Sequence, residues 1–408
     1  MPSFSPWFLP WFYGLSGGAW LAVVVAARLV RGTPFAIFVG VLVGIYSLLA
    51  VALVPWVGPF RVPFTVLHVS VYVNFLALSR PRMRPLVYRL LVSWPASFFA
   101  AGTLLSLPWA LVAAFGGHPW GFWIPYALAA IGLRQSLTTK REDVDLVVPG
   151  LSAATAAAYG PHPRGDGRSP RPLRIVQISD PHLGPFMSVA RLRRIAERAV
   201  AAAPDLVLLT GDFLTMESQS DPDLLLDALA PLKAMPGKVF ACHGNHDHEA
   251  PAVVARALAS NGIELLVDDS RDVVTEAGPV QILGLDFSYR DRKARLERAC
   301  LDHPRTASAL RIVLLHDPGA FRHLPAGQGD LVLSGHTHGG QVGLLSLGLQ
   351  WTFLRLFGDR IPDHGFWARG TDRMWVHRGT GHYGFPLRLG VPAEEGVLRI
   401  HPGEQPWA

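Results

Sequence analysis

The first 133 residues contain no Asp, no Glu and no Lys. Seven arginines are their only charges: Arg28, Arg31, Arg61, Arg80, Arg82, Arg84 and Arg89. An ordinary soluble domain carries about 25% charged residues, so this stretch is not one, and its apolar content excludes a disordered tail. The remaining Lys and Arg fall one short of the 31 Asp+Glu, so the formal charge of +6 comes from the N-terminal third. A basic nucleic-acid-binding surface is therefore not expected. Cysteine is also scarce. Cys242 and Cys300 are the only two and form no CxxC, which excludes a disulfide framework and a thiolate zinc site. Both read as small buried apolar residues. No basic residue precedes Arg28, which argues against a cleaved signal peptide.

A membrane-crossing helix needs about 20 mostly apolar residues. The arginines cut the N-terminal third into uncharged stretches at 1–27, 32–60, 62–79 and 90–133. The last is broken at Gly116-Gly117-His118-Pro119. This predicts an all-α transmembrane bundle over 1–140 with five spans, or four if 62–79 does not cross. Eight of the 12 tryptophans lie here, several near span ends, as interfacial rings do. Arginine bias places the following region in the cytoplasm, making a multi-pass membrane protein whose first partner is the lipid bilayer. His68 and Asn74, inside apolar runs, read as helix–helix hydrogen-bonding residues.

Residues 149–172 are rich in Gly, Pro, Ser and Ala and read as a linker. Val144–Val148 just before it reads as an early strand, so 141–172 is linker plus edge strand. From 173 to 408 strands and helices alternate, which predicts an α/β domain. Strands are expected at Leu173–Ser179, Asp205–Thr210, Lys238–Cys242, Val280–Leu285, Arg311–Leu315, Asp330–Ser334, Arg373–Val376 and Gly396–Ile400. Helices are expected at Val189–Ala203, with Ser188 as N-cap, and at Asp223–Met235.

Five of these strands are followed by Asp, Asn or His. The sets are Asp180-Pro181-His182, Gly211-Asp212, His243-Gly244-Asn245-His246-Asp247, His316, and Gly335-His336-Thr337-His338-Gly339-Gly340. Ligands of open α/β sheets gather at strand carboxyl ends. One Asp-x-His is an ordinary loop, but five such ends in order point to a two-metal site.

These motifs, with Gln341 after the last, resemble the calcineurin-like metallophosphoesterases. Arg378-Gly379-Thr380-Gly381 and Pro386-Leu387-Arg388 resemble its branch with N-terminal membrane helices. The likeness runs over about 173 to 401. Pro181 replaces a more usual Leu, and Phe213 follows Gly-Asp where an aliphatic residue is commoner. The resemblance implies a double β-sandwich flanked by helices. It implies Asp180, His182 and His338 on one metal, Asn245, His316 and His336 on the other, and Asp212 bridging both. His246 would stand over the substrate, and Asp247 would orient a loop or His246. Two dications about 3.5–4 Å apart need a bridging carboxylate and would activate water for in-line attack on a phosphate ester. Mixed imidazole, carboxylate and amide donors favour Mn, Fe or Zn over Mg or Ca. Arg378 is the expected phosphate contact. His243 and His248 read as packing or solvated residues, and His377 and His382 as surface.

Leu344–Phe357 is strongly apolar with one charge, Arg355. It reads either as a helix packed on the sheets or as a membrane-facing lip beside the site. The function expected is a membrane-anchored phosphoesterase for phosphomono- or diesters, with a lipid-linked phosphate favoured as substrate. The alternatives are a phosphodiesterase for soluble nucleotides and a non-catalytic sensing module.

Overall fold

The computed structural model describes residues 6–148, 171–307, 309–358 and 360–402. Almost all of the 149–172 linker lies outside them. The chain clusters into two compact units. One is Met1–Gln135 with Met216–Ser218 and Gly384–Leu389. The other is Ser136–Thr215, Gln219–Tyr383 and Gly390–Ala408.

The first unit is helical. α1 (Phe8–Arg31), α2 (Thr33–Leu53) and α3 (Arg61–Leu78) follow the uncharged stretches. With their short flanking turns they form three segments long and apolar enough to cross a membrane: Phe8–Arg31, Thr33–Trp56 and Gly58–Leu78. The 62–79 stretch, expected as the doubtful span, thus qualifies. The doubtful part comes later. Leu86–Leu105 and Leu107–Ala114 are bent by 61° at Ser106, a broken span or a re-entrant loop. The last helix, Ile124–Ser136, has 13 residues, about 20 Å at 1.5 Å per residue, short of the roughly 30 Å hydrocarbon core. The described residues thus offer three such spans, or four if the bent pair is one, against the five expected, because a strand begins at Thr139 and stops the last helix growing. His68 is fully buried and bonds Ser16 Oγ (2.8 Å), Tyr46 Oη (2.8 Å) and Tyr72 Oη (3.2 Å), tying α1, α2 and α3 together. Asn74 makes no such bond among the described residues.

The second unit holds two six-stranded sheets. The first runs β1 (Thr139–Val148), β12 (Ala393–Pro402), β2 (Leu173–Ile178), β3 (Leu206–Leu209), β4 (Val239–Ala241), β5 (Glu264–Leu265). The second runs β10 (Gly365–Arg369), β11 (Asp372–Val376), β9 (Leu331–Ser334), β8 (Leu310–Leu315), β7 (Gly278–Leu285), β6 (Asp269–Thr275). β1 extends the strand expected at Val144–Val148 and lies parallel to β12 on the sheet edge. Alternation in β2 explains the layering. Leu173 and Ile175 share a core with Ile282, Ile312 and Leu333 of the second sheet. Val176 and Ile178 point the other way, into helices Val189–Ala201, Pro222–Leu229 and Pro251–Ser260. Leu192, Ile195, Ala196 and Ala199 form the buried stripe of the first of these, whose Ser188 cap accepts from the Arg191 N–H. Gln177 crosses between the sheets, donating to Thr210 Oγ1 and to the Ser334 carbonyl, both at 3.0 Å.

Leu344–Phe357 is not a packed helix. It forms two short 3-10 turns, Leu345–Leu347 and Phe353–Leu356, neither with a buried residue. One glycine and a Thr break the helical pattern: Gly348 sits at φ +79° and Thr352 is extended.

Candidate metal centre

Parallel β2, β3, β4, β8 and β9 all end at one edge, and each delivers the residues read from the sequence. The backbone there is unusual. Asp180, His182, Asp212, His336 and His338 all have φ between +45° and +68°, a region that non-glycine residues rarely enter. Five of the nine such residues among those described thus lie at this site. Strain of this kind marks places where the surroundings over-determine the geometry. Two glycines make the approach feasible. A Cβ on Gly244 would lie 2.2 Å from Asp212 Oδ1, and one on Gly335 1.9 Å from Ser179 Oγ.

The side chains converge as two triads. Asp180, His182 and His338 place their donor atoms within 4.8 Å of one another, and so do Asp212, His316 and His336. His182 Nε2 and His338 Nε2 are 3.2 Å apart, as are His316 Nε2 and His336 Nδ1. Two imidazole lone pairs at that distance need a proton or a cation between them. Asp212 Oδ2 faces both groups, 3.7 Å from His182 Nε2 and 3.3 Å from His316 Nε2. Asn245 Oδ1 reaches His316 Nε2 at 3.3 Å and so adds to the second group. His316 donates from Nδ1–H to the Thr210 carbonyl (2.6 Å), which leaves Nε2 facing the cluster.

The electrostatics favour a cation. Asp180 and Asp212 are buried, and among the described residues their ion-pair partners are histidines and no Lys or Arg. Burial lifts the Asp180 carboxyl to about 6, with Asp212 adding to it against the pull of His316. Burial also opposes ionisation of Asp212, yet His316 holds that carboxyl well below the usual range. Reciprocally, Asp212 overcomes the burial penalty on His316 and pushes it up to about 10. Burial takes His182 down to about 3 and His336 to about 4. The acids thus pull one positive charge into the middle of the cluster, the role a bound dication fills. The donor set fits divalent metal ions.

Around the triads, Asp247 accepts the N–H groups of Asp212 (2.8 Å), Phe213 (2.9 Å) and Gly244 (2.7 Å). Of its two expected roles, it orients the loop and does not touch the His246 ring. Instead, His246 Nδ1 bonds Glu249 Oε1 at 2.7 Å, and the ring stacks on Tyr383 at 4.2 Å. Burial lowers the His246 pKa, but the Glu249 bond and the Asp212 charge outweigh it and raise it above its ordinary value. Glu249 and Tyr383 were not foreseen. A Glu three residues after a site histidine, on one 3-10 turn, is the signal that was there to read.

Arg378 is paired within the protein. Its guanidinium bonds Glu394 (3.0 Å) and Glu142 (2.7 Å), so a phosphate would compete with two carboxylates for it. His377 and His382 are buried rather than on the surface. His243 and His248 both bond Asp286 Oδ1, at 3.0 and 3.1 Å, while Arg295 holds Oδ2 at 2.9 Å. That group also has ligand-type spacing, but hydrogen bonds and Arg295 already account for it.

Residues 173–340 match the family model described as calcineurin-like phosphoesterase. The chain is 28% identical over 234 residues to Phosphodiesterase YaeI of Escherichia coli (strain K12), covering 56% of this chain and 82% of that protein. It is 31% identical over 238 residues to a transmembrane protein with metallophosphoesterase domain of Danio rerio, covering 54% and 52%. It is 27% identical over 219 residues to UDP-2,3-diacylglucosamine pyrophosphatase LpxG of Chlamydia trachomatis serovar D, covering 42% and 65%. Among solved structures, Phosphopantetheinyl Hydrolase (PptH) from Mycobacterium tuberculosis aligns with a TM-score of 0.29 at 12% identity, over 58% of this chain and 99% of that one.

Proposed function

We propose that this chain, which carries a calcineurin-like metallophosphoesterase domain at residues 173–340, is a membrane-anchored hydrolase of lipid-linked phosphate or pyrophosphate esters. The paired triads, with Asp212 Oδ2 turned to both, carry the reading. Asp180, His182 and His338 would hold one divalent ion, and Asn245, His316 and His336 the other. Mixed N and O donors favour Mn, Fe or Zn. When bound, two such ions supply a nucleophilic water near neutral pH and offset the phosphate charge. His246 Nε2 makes no hydrogen bond among the described residues, and it would give the leaving oxygen its proton. The two sheets with their shared core are read as the family's double sandwich.

The substrate class is inferred from Leu344–Phe357. Leu347, Leu349, Leu356 and Phe357 are 73%, 55%, 64% and 69% exposed. The segment abuts the ligand turn, since a Cβ on Gly340 would lie 3.0 Å from Leu354 Cγ. An apolar lip beside a phosphate site suits an acyl or isoprenoid chain. LpxG, whose name states a diacylated substrate, is consistent with this. A second reading, a soluble nucleotide diester, is favoured by one feature. Tyr289 is 75% exposed and packs edge-on against Phe287, which lies 6.2 Å from both His316 and His336. Such a pair offers a face to a base.

The three long apolar helices anchor the chain. Sidedness turns on the bent pair. If it is re-entrant, Arg28, Arg31, Arg80, Arg82, Arg84, Arg89, Arg134, Lys140 and Arg141 share the catalytic side and only Arg61 opposes them. If it crosses, Arg61, Arg134, Lys140 and Arg141 share that side against the other six. The larger bias favours the re-entrant form and a cytoplasmic catalytic domain. A reporter cysteine within 149–170 should resist an impermeant thiol reagent in intact cells and react once they are opened. Labelling in intact cells would overturn the orientation. Activity is tested with the full-length chain, metal-stripped and then reloaded with Mn, on bis-p-nitrophenyl phosphate and on a lipid pyrophosphate in mixed micelles. Turnover of the first only would favour the nucleotide reading, and turnover of neither would sink both.

A further inference from the structure

The geometry points to Glu249 as the positioning residue of the reaction, fixing the His246 ring so that Nε2 faces the substrate. The inference rests on the phosphoesterase reading and deepens it. An imidazole at a strand-end loop rotates freely unless both its plane and its tilt are held. Here one face lies on Tyr383, with ring centres 4.2 Å apart and planes within 26°. That contact sets the plane but leaves rotation within it. Glu249 Oε1, 2.7 Å from Nδ1, removes that freedom. A carboxylate oxygen only accepts, so Nδ1 carries the proton of this bond and Nε2 is the nitrogen left to the substrate.

Glu249 is held in turn. Its other oxygen, Oε2, accepts from Gln219 Nε2 at 2.7 Å, and Gln219 is buried. The three residues therefore form a chain, Gln219 to Glu249 to His246, that runs from the interior to the site. The His246 N–H donates to Asp212 Oδ1 at 2.9 Å, so backbone and ring are each fixed by a carboxylate. The neighbouring acid does not compete for the role, because all of Asp247's bonds go to backbone N–H groups. The two Glu249 oxygens bond His246 and Gln219, neither of which is assigned to a metal, so its loss should leave metal content intact.

The test is a double-mutant cycle in the full-length chain loaded with Mn, comparing wild type, Glu249→Gln, His246→Asn and the double variant. Glu249→Gln keeps the size and one acceptor oxygen but loses the negative charge and the second acceptor. A charge-assisted hydrogen bond on this scale corresponds to about tenfold or more in rate. Glu249→Gln should therefore lower kcat about tenfold with KM and metal content unchanged. The loss should be larger for an alkyl leaving group than for p-nitrophenolate, which leaves without a proton. The double variant should be no slower than His246→Asn, since residues acting as one unit are non-additive. Additive losses, an equal loss for both leaving groups, or a fall in bound metal would show that Glu249 acts on the loop and not through His246. If the wild type itself turns over no phosphoester, the underlying functional reading fails instead, and the two failures are thereby separated.

Discussion

His68 in the helical unit and His316 in the sheet unit are both removed from solvent, yet their neighbours are opposites. His68 meets three hydroxyls, from Ser16, Tyr46 and Tyr72, in a unit whose long apolar helices have no acidic residue. His316 meets Asp212, Asn245 and His336. Buried imidazole is thus not a signal in itself. Among hydroxyls it joins helices as a neutral donor and acceptor; among carboxylates and other imidazoles it becomes one donor of a cation site. Surface character divides the units in the same way. Exposed large apolar residues cover the helical unit, whereas among the described residues of the sheet unit seven of twelve lie within Leu344–Phe357. That segment is the part of the sheet unit that resembles the helical unit's outside.

Substitutions sharpen this contrast, beginning with the largest effect. Asp212→Ala removes the carboxylate that faces both triads. A bound metal contributes several kcal/mol of charge stabilisation, and each 1.36 kcal/mol is tenfold in rate. Steady-state assays should therefore show a loss of about 10³-fold or more. His246→Asn should lower kcat about 10²-fold or more, the lower range for a general acid, while metal content stays at the wild-type level. If it loses metal as fully as Asp212→Ala, the division between ligand and acid is wrong.

The next effect is smaller and concerns the lip. Leu349→Ser with Phe353→Ser should weaken use of a lipid-linked ester by about tenfold, since burying one large apolar group is worth about 1.5–3 kcal/mol and about 1.4 kcal/mol is one decade. Hydrolysis of bis-p-nitrophenyl phosphate should hardly change. A parallel fall in both activities would make the segment a packing element. The smallest effect is expected at the other buried histidine. His68→Leu leaves three hydroxyls without their shared partner and should cost about 1 kcal/mol, in line with hydrogen bonds between membrane helices. Thermal unfolding of the purified chain measures it, and activity per folded molecule should be unaffected. Loss of activity without loss of stability would place His68 in a function the helical unit is not assigned here.

Much of the site was legible because it is local. Strand, Asp or His, and glycine recur in a fixed order, and parallel strands place their ends on one edge. The strained φ values of Asp180, His182, Asp212, His336 and His338 were not legible, since no residue type among them demands the left-handed region. Nor was the fate of Arg378, which depends on Glu142 in β1, 236 positions away. Propensity placed a strand at Val144–Val148 but could not pair it with β12, a contact between the two ends of the unit. The helical unit misled in another way. Hydropathy counts residues between charges, and the 61° bend at Ser106 lies inside an uncharged run. The Leu344–Phe357 lip was open between two readings because periodicity does not say what covers an apolar face.

The central claim is that two adjacent His/Asp groups share one carboxylate and hold two divalent ions. Metal analysis of the purified full-length chain, stripped and reloaded with Mn, measures it directly. Two ions per wild-type chain are expected, with both lost in Asp212→Ala. A wild type that retains no metal, or an Asp212→Ala variant that retains as much as the wild type, would contradict it.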